Sequence, residues 1–173
     1  MAAAIKGGLG IHPRGIELRH TLLEHLERTW DQPDCGIWEI RGPLQQFTHS
    51  KVMAWVAFDR AANGDHKDVD DDRRAHYQAI ADKIRKAVCD SGLDPERNCF
   101  TQSYGSKAMD AGLLLMAIVG FLPPDDERIR NTVSEIEARL FSSGLVLRYR
   151  YLCSLCELVA QIRERVHDRH IRV

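Results

Sequence analysis

The 173 residues are 44% hydrophobic and 28% charged, with 24 basic against 25 acidic side chains and a net charge of -1. These values exclude a disordered tail, a collagen-like repeat and a disulfide miniprotein, and they give no bulk electrostatic reason to bind nucleic acid or an anionic membrane. Five cysteines fit a reducing compartment, and the start Met1–Gly8 has no apolar signal segment, so a cytoplasmic protein is expected.

The pattern along the chain is mainly helical. Ile16, Leu18, Leu22, Leu23, Leu26 and Trp30 recur at spacings of mostly three to four, which predicts an amphipathic helix over Arg14–Trp30. The turn formers of Asp31–Gly36 end it, and Ile37–Pro43 reads as irregular or briefly extended. A second helix is expected over Ser50–Ala62, with Thr48 or Ser50 as N-cap and Val52, Met53, Trp55, Val56 and Phe58 apolar on several sides. After the acidic loop 63–72, a third helix is expected over Asp71–Cys89, its N-terminus favoured by the aspartates there. Further helices are predicted over Lys107–Val119, from Asp125 to about Phe141, and over Leu152–Val166, with a short extended piece at Leu145–Arg150. The longest apolar run, Ala111–Phe121, is well short of the roughly 20 residues that cross a bilayer.

Several residue groups invite a chemical reading. Cys153 and Cys156 form a Cys-x-x-Cys pair, but no second pair completes a zinc set and no βαβ context supports redox use, so both read as small core residues. His167 and His170, one helical turn apart, sit in an arginine-rich polar tail and read as a solvated end. The acidic loop lacks the glycine and closing glutamate of a calcium site, and no metal or cofactor is expected. The segment Gly36–Gly42 stands apart. Glu39 lies beside Trp38 and two residues from Arg41, on a loop bounded by glycines. An indole face can stack on a sugar ring, and an apolar neighbour raises a carboxyl pKa toward that of a general acid, while a nearby arginine pulls the other way. A structural loop capped by an ion pair is the competing reading of the same residues.

The blocks Pro33-Asp-Cys-Gly-Ile-Trp-Glu-Ile-Arg-Gly42 and Phe47-Thr-His-Ser-Lys-Val-Met-Ala-Trp-Val-Ala-Phe-Asp-Arg60 resemble glycoside hydrolase family 15. That family holds glucoamylases, glucodextranases and prokaryotic trehalases. Phe100–Gly105, Met109–Leu115, Gly120–Pro124 and Gly144–Tyr149 are similar to its next blocks, in the family's order, and the resemblance covers about 18–149. It implies an all-α fold, here an incomplete segment of an (α/α)6 toroid, and an inverting exo-acting α-glucoside hydrolase. By position in the motifs, Glu39 resembles the general acid, Trp38 a sugar-contacting tryptophan and Arg148 an arginine that hydrogen-bonds substrate hydroxyls. Arg41 belongs to the first motif and is expected to meet substrate. Asp110 matches a family aspartate and is given no catalytic role. The implied partners are an α-glucoside (trehalose, maltose or a malto-oligosaccharide) and the remainder of the catalytic domain, with no nucleic acid and no membrane.

An inverting hydrolase also needs a base that activates water, and in the family that carboxylate lies in a late Glu-Glu-Tyr or Glu-Gln-Tyr motif. Nothing in the 173 residues matches it; Glu157 and Glu164 occupy ordinary helical positions. A glycine- and glutamate-rich loop expected after Arg150 is also missing, and 150–173 diverges. A truncated or frame-disrupted product is the simplest expectation. The alternative to an enzyme segment is an inactive remnant that binds carbohydrate weakly or another helical protein. Because six helices cannot close a twelve-helix ring, Val52, Trp55, Leu113, Leu114 and Leu115 are expected to carry exposed apolar surface.

Overall fold

A computed structural model describes residues 12–64 and 68–150. Helix α1, Pro13–Thr29, opens with proline at its first position, where no intrahelical N–H is needed, and the His12 ring accepts from the Arg14 N–H. Its buried side is anchored by Leu23, with Trp30 buried just beyond its end. Helix α2, Thr48–Asn63, is buried on most sides through Val52, Ala54, Trp55, Phe58, Ala61 and Ala62. The expected cap by Thr48 or Ser50 does not form. The helix starts after Phe47 without a side-chain cap, the Thr48 N–H donates to the Gln102 carbonyl at 3.0 Å, and the Ser50 hydroxyl donates to Asp34 instead. Helix α3, Asp71–Ser91, begins as the acidic pattern predicts: Asp70 caps the Arg73 N–H at 2.8 Å, with Asp71 and Asp72 in the first turn.

Helices α2 and α3 pack side by side, and Phe58 meets Tyr77 across them with ring centroids 6.1 Å apart. The centre of the core is aromatic. Trp55 and Phe121 meet edge to face at 5.1 Å, and Phe100 meets Phe121 at 6.2 Å in the same manner. A short antiparallel ribbon, β1 Leu93–Asp94 with β2 Cys99–Phe100, delivers Phe100 to this cluster. The ribbon's turn is held by Asp94, whose carboxylate accepts the Glu96 and Arg97 N–H groups and the Arg97 guanidinium.

The helix predicted over Lys107–Val119 is mostly absent. A 3-10 turn at Ala111–Leu114 and a single α turn, α4 Leu115–Ile118, take its place. The apolar run suggested helix by composition, but its first residues spend their backbone groups elsewhere. The Ala108 N–H donates to the Ser106 hydroxyl, the Ala111 N–H to the Arg148 carbonyl, and Asp110 is extended at φ -139° and ψ 130°. Helix α5, Glu127–Leu140, is capped by Asp126 and buries Ile129, Thr132, Ile136 and Leu140. The Thr132 hydroxyl accepts the Phe100 N–H at 2.9 Å, which ties α5 to β2. A two-residue turn with Ser143 and Gly144 both at positive φ then joins β3 Phe141–Ser142 to β4 Leu145–Val146.

The described residues are thus predominantly helical with two short ribbons, in agreement with the all-α expectation. The expected exposed set is corrected. Val52, Trp55 and Leu113 are buried core residues, and Leu114 and Leu115 are half-buried. Helices α2 and α3 and the 99–121 segment cover one another, so that surface is internal to the chain. Among the described residues, the exposed large apolar side chains lie instead at Leu18 and Leu22 of α1, at Ile37 and Leu44 around the 36–43 turn, at Met53 and Ile118, and on the 141–147 hairpin. The helix expected over Leu152–Val166, with Cys153, Cys156, Glu157, Glu164, His167 and His170, lies outside the described residues. Among the described residues, no helix is long and apolar enough to cross a membrane.

Candidate functional site

The 34–41 segment is fastened before it displays anything. Its first anchor is Asp34, which pairs through its backbone with Gln45 in both directions, at 2.8 and 3.0 Å. The Asp34 carboxylate accepts the Gly36 N–H at 2.6 Å, the Ser50 hydroxyl at 2.7 Å and the buried Lys51 ammonium at 3.3 Å. Gly36 adopts φ +70°, and a Cβ there would stand 3.0 Å from the Phe47 ring, so only glycine fits. The chain then turns tightly, with the Glu39 N–H donating to the Gly36 carbonyl and the Ile40 N–H to the Cys35 carbonyl. Glu39 sits at φ +46°, a left-handed position that costs a non-glycine residue about 1–3 kcal/mol. Its side chain is exposed. Strain of this kind persists where surrounding contacts impose it, and here they fall on either side of one carboxyl group.

Trp38 is half-buried, and its indole Nε1 donates to Asp110 Oδ1 at 3.0 Å. The Arg148 guanidinium lies over the same indole, 5.1 Å from the ring centroid. Backbone pairing brings these segments together: Asp110 pairs with Tyr149, and the Ala111 N–H donates to the Arg148 carbonyl at 2.8 Å. Of the residues marked in the sequence, Trp38 and Arg148 are therefore in contact, and Glu39 follows Trp38 on the same turn with its side chain exposed. Arg41 lies beside them rather than among them. It lines a cavity of about 350 Å³ with Ile40, Pro43, Gln102, Tyr149 and Arg150. Gln102 and Tyr149 also touch Asp110, so the cavity and the Trp38 cluster are contiguous. A second cavity, of about 510 Å³, opens between the end of α1 and Asp34, Ser50 and Lys51.

Two further residues belong to the cluster. Asp110 is 3% exposed and is surrounded by donors, and His49 packs close by. A Cβ on Gly112 would come within 3.0 Å of Asp110 Oδ1 and 3.2 Å of the His49 ring, which explains a glycine at the start of the 3-10 turn. His49 Nε2 is buried and meets no hydrogen-bond partner among the described residues. Asp110 carries the family resemblance without an assigned role and His49 lies inside the Phe47–Arg60 block without being singled out; the donors around Asp110 and the burial of His49 come from the fold. Among the described residues, no group of three or more His, Cys, Asp and Glu side chains is placed to hold a metal ion.

Burial pushes the His49 imidazole below the ordinary histidine range, against the opposing pull of Asp110 and Asp34. The unfolded chain then takes up a proton on this residue at higher pH than the folded chain does. Below about pH 6.5 the unfolded state is therefore favoured, and stability declines until the pH reaches the lower folded value. His49→Gln is expected to flatten this decline, by up to about 1.4 kcal/mol per pH unit. Urea melts of both forms at several pH values around the histidine range are the measurement. Coincident slopes in the two forms would rule His49 out as the source.

The family described as glycosyl hydrolases family 15 matches residues 1–152. The chain is 48% identical over 128 residues to a trehalase of Mycobacterium tuberculosis, a match covering 74% of this chain and 19% of that protein. It is 41% identical over 131 residues to a trehalase of Thermoplasma volcanium, covering 75% of this chain and 21% of the relative. The chain thus spans about a fifth of the length of these curated relatives. Among solved structures, a wild-type glycosidase superposes with a TM-score of 0.68 at 21% identity, covering 75% of this chain and 34% of that one. A glycosidase variant in complex with glucose superposes equally well. At that identity the likeness speaks for the fold.

Proposed function

The chain belongs to glycosyl hydrolase family 15, and from that premise we propose that its 36–41 turn is the acid half of a site that hydrolyses α-glucosides. The observation that carries this reading is the Trp38 indole held by Asp110 and covered by the Arg148 guanidinium, next in sequence to Glu39, which is exposed on a strained turn. In this reading the Glu39 carboxyl group gives its proton to the glycosidic oxygen as the bond to the anomeric carbon breaks. The Trp38 indole, covered on one face by Arg148, offers its other face to a sugar ring. Arg148 and Arg41 supply N–H donors to hydroxyl groups, Arg41 from the adjoining cavity.

Trehalose is the favoured substrate because the curated relatives are named trehalases; maltose and malto-oligosaccharides are the alternatives. Residues 1–173 are taken as part of one catalytic domain of a cytoplasmic enzyme, with 150–173 divergent.

Inversion needs a second carboxylate about 6.5–9.5 Å from the acid, with room for water between base and anomeric carbon. No motif in the 173 residues matches that base. The base and the remaining walls of the site are assigned to a complementary part of the catalytic domain. These residues by themselves then bind an α-glucoside weakly and do not turn it over, which is also what an inactive remnant would do.

The purified chain is therefore expected to release no glucose above background from trehalose, maltose or a nitrophenyl α-glucoside. General acid assistance alone contributes about 10²–10⁴-fold, far below what such hydrolysis requires. If a complementary segment restores turnover, Glu39→Gln must abolish it, because the amide has the same shape but no carboxylic proton. The enzyme-segment reading expects that restoration; the remnant reading expects none. Robust turnover that survives Glu39→Gln would falsify the acid assignment.

A further inference from the structure

Asp110 lies at the junction of the cluster, and its side chain makes more hydrogen bonds than its local task requires. Capping the 3-10 turn takes one contact, from the Gly112 N–H to Oδ1 at 2.6 Å. The same oxygen also accepts the Trp38 indole N–H at 3.0 Å, and Oδ2 accepts the Gln102 amide at 3.1 Å. Its main chain does a second job. Asp110 pairs with Tyr149, and the next N–H, of Ala111, holds the Arg148 carbonyl. One buried residue therefore fixes the edge of the indole with its carboxylate and the segment carrying the overlying guanidinium with its backbone.

We propose that Asp110 is a positioning residue of the sugar site, setting the plane of the Trp38 ring and, through the adjoining peptide, the turn that presents Glu39. It touches neither substrate nor reacting atoms. Rotation of an indole about its side-chain bonds is otherwise limited only by packing, and Trp38 is only half-buried. The directional hydrogen bond from Nε1 to the Asp110 carboxylate, 3.0 Å long, is the contact able to select one orientation. Gln102 completes the arrangement: it occupies the second carboxylate oxygen and lines the cavity that holds Arg41. The inference rests on the reading of Trp38 and Glu39 given above, but its main test is independent of sugar binding.

That test is the set of indole N–H resonances of the 15N-labelled chain, which has three tryptophans, Trp30, Trp38 and Trp55, with Trp38→Phe used to assign one signal. In Asp110→Ala the Trp38 indole proton should move upfield and exchange with water about tenfold faster or more, as a lost charge-assisted hydrogen bond requires. Asp110→Asn keeps Oδ1 as a neutral acceptor, and a flipped Gln102 amide can meet its new N–H, so it should shift the same signal part of the way. Trp30 and Trp55 should stay in place. A Trp38 signal unmoved in Asp110→Asn, or Trp30 and Trp55 moving as far as Trp38, overturns the proposal, whether or not Asp110→Ala folds.

Trehalose titration supplies the second arm. The affinity, read by isothermal titration calorimetry, should fall several-fold in Asp110→Asn, and the same substitution should have no effect on trehalose binding in a Trp38→Phe background. Equal weakening in both backgrounds overturns the claim that Asp110 acts through the indole. A wild-type chain that shows the graded indole shifts but binds no trehalose defeats the sugar-site reading and leaves the hydrogen-bond assignment standing.

Discussion

Phe121→Ala is expected to cost about 3–5 kcal/mol of folding free energy, the range for emptying an aromatic core position. The ring is fully buried and joins otherwise separate parts of the chain: Trp55 of α2 meets it edge to face at 5.1 Å, and Phe100 of β2 at 6.2 Å. Arg85 of α3 closes the set, with its guanidinium 4.8 Å from the Trp55 centroid and 5.9 Å from that of Phe121. Removing the ring leaves a cavity whose walls are anchored on helices and collapse only partly. Where the total stability lies near the lower end of the usual range of about 5–15 kcal/mol, such a loss is enough to populate the unfolded chain. Phe121→Leu, which keeps most of the volume, should cost markedly less. Urea midpoints of the three proteins test this. A loss below about 1 kcal/mol for Phe121→Ala would mean that these aromatic contacts do not form the core.

The helices that the sequence predicts well are those whose signals are local. Asp70 and Asp126 cap their own helices, and the apolar faces of 14–30 and 71–89 repeat at the helical period, so boundaries fall within a few residues of expectation. The 107–119 segment fails because its conformation is decided at a distance. The Ala111 N–H is taken by Arg148 and the Asp110 carboxylate by Trp38 and Gln102, and no window on the local sequence contains those partners. The exposed apolar set fails for a related reason. Too few helices to close a ring implied faces without neighbours, whereas α3 and the Phe100–Phe121 segment cover them. The site itself was half legible. Motif resemblance marks Trp38, Glu39, Arg41 and Arg148 and also matches Asp110, but the contact of Asp110 with Trp38 and the burial of His49 nearby become apparent only once the chain is folded.

Asp34 is where fold and site depend on one another, and Asp34→Ala is expected to cost about 2–4 kcal/mol. Breaking a fully buried ion pair on one side costs about 3–5 kcal/mol, and the lower figure applies because the Asp34 side chain is 35% exposed. Its partner Lys51 is only 3% exposed, and without Asp34 its ammonium keeps just the Gln32 carbonyl. The substitution also strips the Gly36 N–H and the Ser50 hydroxyl of their acceptor. The reverse substitution, Lys51→Met, should be milder: it removes the buried charge instead of stranding it, and the freed carboxylate turns to water while keeping its other two donors. The double variant Asp34→Ala/Lys51→Met should be less destabilised than the sum of the singles, since it no longer buries a lone cation. The order of urea midpoints then carries the argument. If Lys51→Met proved costlier than Asp34→Ala, the buried charge would not be the governing cost. With the Gly36 anchor gone, the turn bearing Trp38 and Glu39 is released from α2, so Asp34→Ala should also lose whatever trehalose affinity the wild-type chain shows, and Lys51→Met should retain it.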